Sequence, residues 1–128
     1  MRGAQEQRIV IVGGGFAGVG AARALDDRPG VTLIDRKPNF EFLPNIHEIV
    51  SGLKKPKRVG LSHERMARDL EQTFVRDEVT AIDPARRTVI TASQRIPYDA
   101  LILAPGGSPA ADGVAGADIH ARFFRSAE

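Results

Sequence analysis

Three consecutive glycines, Gly13-Gly14-Gly15, and a fourth at Gly18 stand between a β-branched run and a stretch of helix-compatible residues. The spacing Gly13-x-Gly15-x-x-Gly18 is what a chain needs to bring backbone N–H groups up to a pyrophosphate. Gly13 permits the tight turn. Gly15 has no Cβ, so the backbone can touch a phosphate, and Gly18, one turn before Ala22, lets the helix lie close to the strand. The start of that helix offers N–H groups and a partial positive charge to an anion. Asp35 is the second chemical group. A carboxylate at the end of the next apolar strand can accept both hydroxyls of a ribose, and it repels a 2′-phosphate. Arg36 and Lys37 follow it, equally suited to flank adenosine or phosphate and to sit in solvent.

The elements that must position these groups are legible around them. Residues 8–12 (Arg-Ile-Val-Ile-Val) form a continuous β-branched run, the mark of a strand buried on both faces. Phe16 to Asp26 reads as a helix with Ala17, Gly18, Ala21 and Ala22 toward a sheet, stopped by Pro29-Gly30. Val31 to Ile34 is a second strand, which makes a βαβ opening with a right-handed crossover. An irregular stretch from Arg36 to Pro44 leads to a short apolar-periodic piece at Ile46, Ile49 and Val50, then a loop over Gly52–Gly60. Ser62 can cap a helix over 63–71, with Met66 and Leu70 on one face. Thr73–Val75, Val79–Ile82 and Arg87–Thr91 read as the strands of a small β-meander. Ala100–Leu103 is a buried parallel-type strand stopped by Ala104-Pro105-Gly106-Gly107.

Composition bounds the chemistry. The chain has 128 residues, 42% hydrophobic and 27% charged, the balance of one soluble globular domain. A formal charge of +2 argues against nucleic acid as a partner. There is no cysteine, so the chain carries no disulfide, zinc-thiolate site or dithiol relay. His47, His63 and His120 have no metal-ligand spacing, and each reads as a surface or packing residue, His47 with some claim to a place near a cofactor. Lys54, Lys55, Lys57 and Arg58 form a basic run that reads as a solvated loop, with an acidic membrane surface or a phosphate as the other reading. The longest apolar stretch is broken by glycines and Arg23, so the expectation is a cytoplasmic chain without a membrane span.

The glycine fingerprint alone serves FAD and NAD alike. A plain NAD domain would continue with alternating strands and helices after Asp35, whereas here an irregular segment, a helix and a meander intervene. At this point RIVIVGGGFAGVGAARAL, VTLIDRKPNFEFLP and EVTAIDPARRTVITASQRIPYDALILAPGGSP together resemble the pyridine nucleotide-disulfide oxidoreductase superfamily. Within it, the chain is most similar to type II NADH dehydrogenases and sulfide:quinone reductases. The resemblance implies a Rossmann-like α/β fold with a parallel sheet and a small meander, binding the ADP moiety of FAD. It implies that Gly13, Gly15, Phe16, Ala17 and Gly18 hold the pyrophosphate, Asp35 the ribose with Arg36 beside it, and the Val79 backbone the adenine. It also implies that Pro44 lies near the isoalloxazine and that Ala104 and Gly106 approach the cofactor. Pro105 departs from the family pattern, which has threonine there, so any donor from that residue is absent. Catalytic side chains are not named by the sequence, and no metal site is expected.

The resemblance further implies an enzyme that takes electrons from NAD(P)H and passes them through FAD to a quinone or similar small acceptor. Two alternatives stay open: a sulfide:quinone reductase-type enzyme whose cysteines lie elsewhere, and a non-catalytic dinucleotide-binding module. Residues 1–110 then correspond to the N-terminal part of an FAD-binding domain and 111–128 to a crossover toward an NAD(P)H domain. Alone, the chain is expected to be inactive. Phe123 and Phe124 are expected to leave an apolar patch exposed, and hence self-association. In the full-length protein, contact with the cytoplasmic face of a membrane and a homo-oligomeric state are compatible with the resemblance.

Overall fold

The computed structural model describes residues 6–42, 44, 47–53, 60–108, 110 and 113–122. Two compact units are present: residues 1–40 with 61–106, and residues 41–60 with 107–128. The first unit carries the sheet. It begins with β1 (Ile9–Val12), α1 (Phe16–Ala24) and β2 (Val31–Asp35), followed by a short strand β3 (Asn39–Glu41). After α2 (His47–Val50) in the second unit come β4 (Gly60–Ser62), α3 (His63–Asp69) and β5 (Thr73–Arg76). Then follow β6 (Val79–Asp83), β7 (Thr88–Thr91), β8 (Arg95–Pro97), β9 (Ala100–Leu103) and the four-residue α4 (Ala117–His120).

The main sheet has the order β5-β2-β1-β9 and is parallel throughout. Side chains of β1 alternate between its two faces, and each face has its own core. Ile9 and Ile11 join Val31, Leu33 and Ala22, covered by Met66, Leu70 and Phe74. Val10 joins Ile34, Val89 and Tyr98, covered by Ile82 and Ile96. Helices therefore lie over one face and the meander over the other. That double cover is why β1 could be an unbroken β-branched run.

Within α1 the buried residues are Gly18, Val19 and Ala22, while Ala17 is exposed, so the expected sheet-facing set is shifted by part of a turn. The helix stops at Ala24, before the expected Asp26, because Leu25 closes the last turn and the Gln72 amide donates to Ala22 O (2.8 Å) and Leu25 O (3.1 Å). Free C-terminal carbonyls need such a donor. For α3 the expected cap is present: Ser62 Oγ accepts from Arg65 N at 3.3 Å. Met66 and Leu70 share the face that meets the core.

One expectation is corrected. Thr73–Val75 does not belong to the meander; β5 pairs in parallel with β2, in the register Leu33↔Phe74 and Ile34↔Val75. The meander is β6-β7-β8, and its third strand is Arg95–Pro97. Strand propensity fixes neither partner nor direction, and α3 before β5 turns this segment back as a parallel strand. Arg8 ties the sheet at its other end, donating from its backbone N–H and guanidinium to the Asp99 carboxylate.

In the second unit α2 and α4 are single turns, and Leu53, Val114 and Ile119 are exposed. The basic run 54–58 and Phe123 and Phe124 lie outside the described residues.

Candidate functional site

Parallel register brings the carboxyl ends of the strands to one edge. Val12 of β1 lies opposite Ile34 of β2 and Leu103 of β9, and Asp35 lies opposite Arg76 of β5. The chain leaves β1 toward β2 on one side and returns beside β1 as β9 on the other. Such a point of divergence, beyond the carboxyl ends of the strands, is where open α/β sheets bind ligands.

Each glycine of the turn has its own reason. Gly13 has φ +99°, and a Cβ on it would run into Ala104 O. Its N–H donates to Ile34 O at 2.8 Å, and Ala104 N donates to Val12 O at 2.8 Å. A Cβ on Gly18 would run into Gly13 O, so the close seat of α1 on the turn depends on that glycine. At Gly14 a Cβ would meet the His63 ring, 2.5 Å from Nε2. Gly15 differs from all three: among the described residues nothing lies within 4 Å of its missing Cβ. Gly15 is the N-cap of α1 with no side-chain cap, and the first turn holds no acid. The N-cap of this nine-residue helix thus brings no side-chain acceptor of its own, beside space that a side chain would fill. Phe16, half-exposed, meets Phe40 edge to face with centroids 4.9 Å apart.

Asp35 is already engaged with the backbone. Its Oδ2 accepts from Gly14 N and its Oδ1 from Lys37 N, both at 2.6 Å. A carboxylate has about four lone-pair sites, so about one per oxygen is left for a further donor. Beside it is a cleft of about 210 Å³ lined by Val12, Gly13, Ile34, Asp35, Arg36, Asp77, Glu78 and Val79. Asp77 is pushed down to about 2, chiefly by the Ser93 hydroxyl, then by Thr91, with backbone donors from Glu78 and Ser93 adding to the effect. Three acids against one arginine make this cleft inhospitable to an additional phosphate, whereas a sugar and base carry no charge there. The ladder of β6 with β7 shifts register between Val79 and Ala81, an irregularity that frees backbone from regular pairing at the rim of the cleft.

Gly13, Asp35, Arg36 and Val79 therefore line one cleft, with Gly15, Phe16, Ala17 and Gly18 continuing from it into α1. Ala104 packs against Gly13, and Gly106, at φ +74°, is exposed with no described residue within 4 Å of its Cβ position. Pro44 belongs to the second unit, where its carbonyl lies 2.9 Å from His47 Nδ1. His63 was expected at the surface or in simple packing. It is buried beneath the glycine turn, with Nε2 2.7 Å from Gly14 O and Nδ1 3.0 Å from Lys37 O. No local sequence signal marks it, because its partners are 26 and 49 positions away. Among the described residues no cluster of ligating side chains could hold a metal.

The profile of the family described as pyridine nucleotide-disulphide oxidoreductase matches residues 7–128. The chain belongs to this family. It is 30% identical over 104 residues to the sulfide-quinone reductase of Aquifex aeolicus, covering 78% of this chain and 24% of that protein. It is 31% identical over 105 residues to the type II NADH:quinone oxidoreductase NdhA of Mycobacterium tuberculosis, covering 77% and 22%. The solved sulfide:quinone oxidoreductase of Aquifex aeolicus superposes with a TM-score of 0.84 at 26% identity, over 94% of this chain and 29% of that one. The chain thus spans about a quarter of the length of these members of the pyridine nucleotide-disulphide oxidoreductase family. Among the described residues no helix is long and apolar enough to cross a membrane.

Proposed function

We propose that this chain holds the ADP half of FAD in a flavoprotein that takes electrons from NAD(P)H and passes them to a quinone or similar small acceptor. The observation that carries the reading is the start of α1 at Gly15, which brings no capping side chain and is open among the described residues where a Cβ would be, beside an Asp35 carboxylate with acceptor capacity to spare. In this reading the α1 N–H groups bind the diphosphate, Asp35 accepts the ribose hydroxyls, and the Val79 backbone meets the adenine. Gly13, Gly18 and Ala104 keep the turn tight, and Ala104 and Gly106 follow β9 toward the cofactor. Pro44 is assigned to the flavin side. Bound FAD would supply the redox chemistry itself, as a hydride acceptor and electron donor. The chain's own task is to bind and orient it. Residues 1–110 form the cofactor-binding portion and 111–128 the crossover from it.

The acidic cleft favours a dinucleotide without a 2′-phosphate, and the names of the relatives favour a quinone as acceptor. A lipid-soluble acceptor would be met at a membrane surface. The similarity to a sulfide-quinone reductase supports a second reading, in which sulfide is the electron donor. Since this chain has no cysteine, thiols for that reaction must come from outside it. Titration with FAD and, separately, with NAD+ tests the assignment. FAD should bind the tighter of the two and lose fluorescence on binding. Tight NAD+ binding with no affinity for FAD would overturn the flavin reading.

A further inference from the structure

Asp77 stands between β5 and β6 and ties three segments together. Its N–H donates to Asp35 O at 3.1 Å. Its Oδ1 accepts from Glu78 N at 2.8 Å, and its Oδ2 accepts from Ser93 N at 3.1 Å and from the Ser93 hydroxyl at 2.5 Å. The protein thus takes three of the about four lone-pair sites on this carboxylate, which leaves little for a ligand. Its task lies in the backbone that it joins: the end of β2, the start of β6 and the turn between β7 and β8.

What those bonds hold is Val79. Ala92 N donates to Glu78 O at 2.9 Å, while Val79 lies opposite Thr91. In an antiparallel ladder that bond makes Val79 and Thr91 a non-hydrogen-bonded pair, so the N–H and C=O of Val79 point away from β7. The order β6-β7-β8 leaves that edge of β6 with no strand beside it among the described residues. Val79 therefore brings one backbone donor and one backbone acceptor to the cleft it lines. The register shifts directly after it, between Val79 and Ala81, so the ladder alone fixes its position weakly.

A single N–H beside a single C=O matches the edge of adenine, where N1 accepts and the 6-amino group donates. Guanine reverses that edge, with N1–H donating and O6 accepting. The discrimination depends on where Val79 sits, and the bonds of Asp77 to Glu78 and Ser93 set that place. We propose that Asp77, through Ser93, is a positioning residue that fixes the Val79 backbone and so selects an adenine dinucleotide over a guanine one. The proposal rests on the dinucleotide reading above, in which Val79 meets the base.

Calorimetric titration of the full chain with ADP and with GDP reads the selectivity. The native chain should bind ADP about tenfold or more tighter than GDP, because guanine sets donor against donor and acceptor against acceptor. Asp77→Ala should bring the two affinities within about threefold of each other. A merely structural loss would weaken both nucleotides alike and leave their ratio as in the native chain. Ser93→Ala should lower the ratio, and Ser93→Thr, which keeps the hydroxyl, should restore it. Equal binding of ADP and GDP by the native chain, or a native ratio retained in Asp77→Ala, would overturn the proposal. Should Asp77→Ala fail to fold, the exposed Ser93 decides, and a native ratio in Ser93→Ala would overturn it. Binding of NAD+ without FAD would refute the flavin reading and leave this test intact, since both contain ADP. No binding of ADP at all would overturn both.

Discussion

Replacing Gly15 and Gly18 in turn by alanine separates what the turn needs for folding from what it keeps free for a ligand. At Gly18 the new methyl would overlap Gly13 O, a backbone atom fixed between β1 and α1. Helix and turn must separate, an overpacking cost of about 3 kcal/mol or more. At Gly15 the methyl meets nothing among the described residues within 4 Å, and φ of −78° suits an L-residue. The loss of unfolded-state freedom contributes about 0.4–1 kcal/mol of stability. A poorer N-cap costs about as much, so the net change is roughly zero. A phosphate would compete with that same methyl. Losing one charge-assisted hydrogen bond of about 1.5–3 kcal/mol corresponds to roughly 10- to 150-fold in affinity. Urea unfolding without ligand reads the first quantity and fluorescence titration with FAD the second. Gly15→Ala should keep native stability and lose affinity, while Gly18→Ala should lose stability outright. If Gly15→Ala binds FAD as the native chain does, the phosphate is not at α1 and the reasoning fails.

Asp35→Asn removes one acceptor and sets an amide N–H against one of the two backbone donors at 2.6 Å. Stability should fall by about 1–3 kcal/mol in urea, and FAD affinity by at least about tenfold beyond that loss; unchanged affinity in the folded variant would remove Asp35 from the ribose. Acid stability should depend on Asp77 and Asp99, each lowered from 3.8 to about 2. Ser93 is the leading cause at Asp77 and Arg8 at Asp99. Depressed carboxyls favour the folded state above their unfolded value, so this contribution is complete above about pH 4 and is lost as pH falls toward 2. The double replacement with asparagine should flatten the unfolding curve in that window, and an unchanged acid limb would contradict it.

Much of the first unit could be read from residue types alone, and the reasons are local. Arg8–Val12, the glycines and Val31–Asp35 announce strand, turn, helix and strand within one short stretch, and register then forces Asp35 beside Gly13. Ser62 declared the start of α3 by its own capping chemistry. What was hidden depends on distant partners. Thr73–Arg76 has the same β-branched and aromatic character whether it joins a meander or a parallel sheet, and only its pairing with β2 decides. Arg95–Pro97 is too short and too polar to announce a strand, yet β7 supplies its ladder. His63 gave no sign, because its role is created by Gly14 and Lys37 folding over it. The three neighbouring glycines also answered to different demands than spacing suggests. Gly14, the position the fingerprint leaves free, is glycine here because a ring lies beneath it.

The most direct test is to follow the backbone amides of the isotopically labelled chain while FAD is added. The largest shifts should fall on Gly13 to Gly18, with Asp35, Arg36 and Val79 changing alongside them. Binding that moves other amides and leaves the Gly15 and Phe16 signals where they were would contradict the account at its centre.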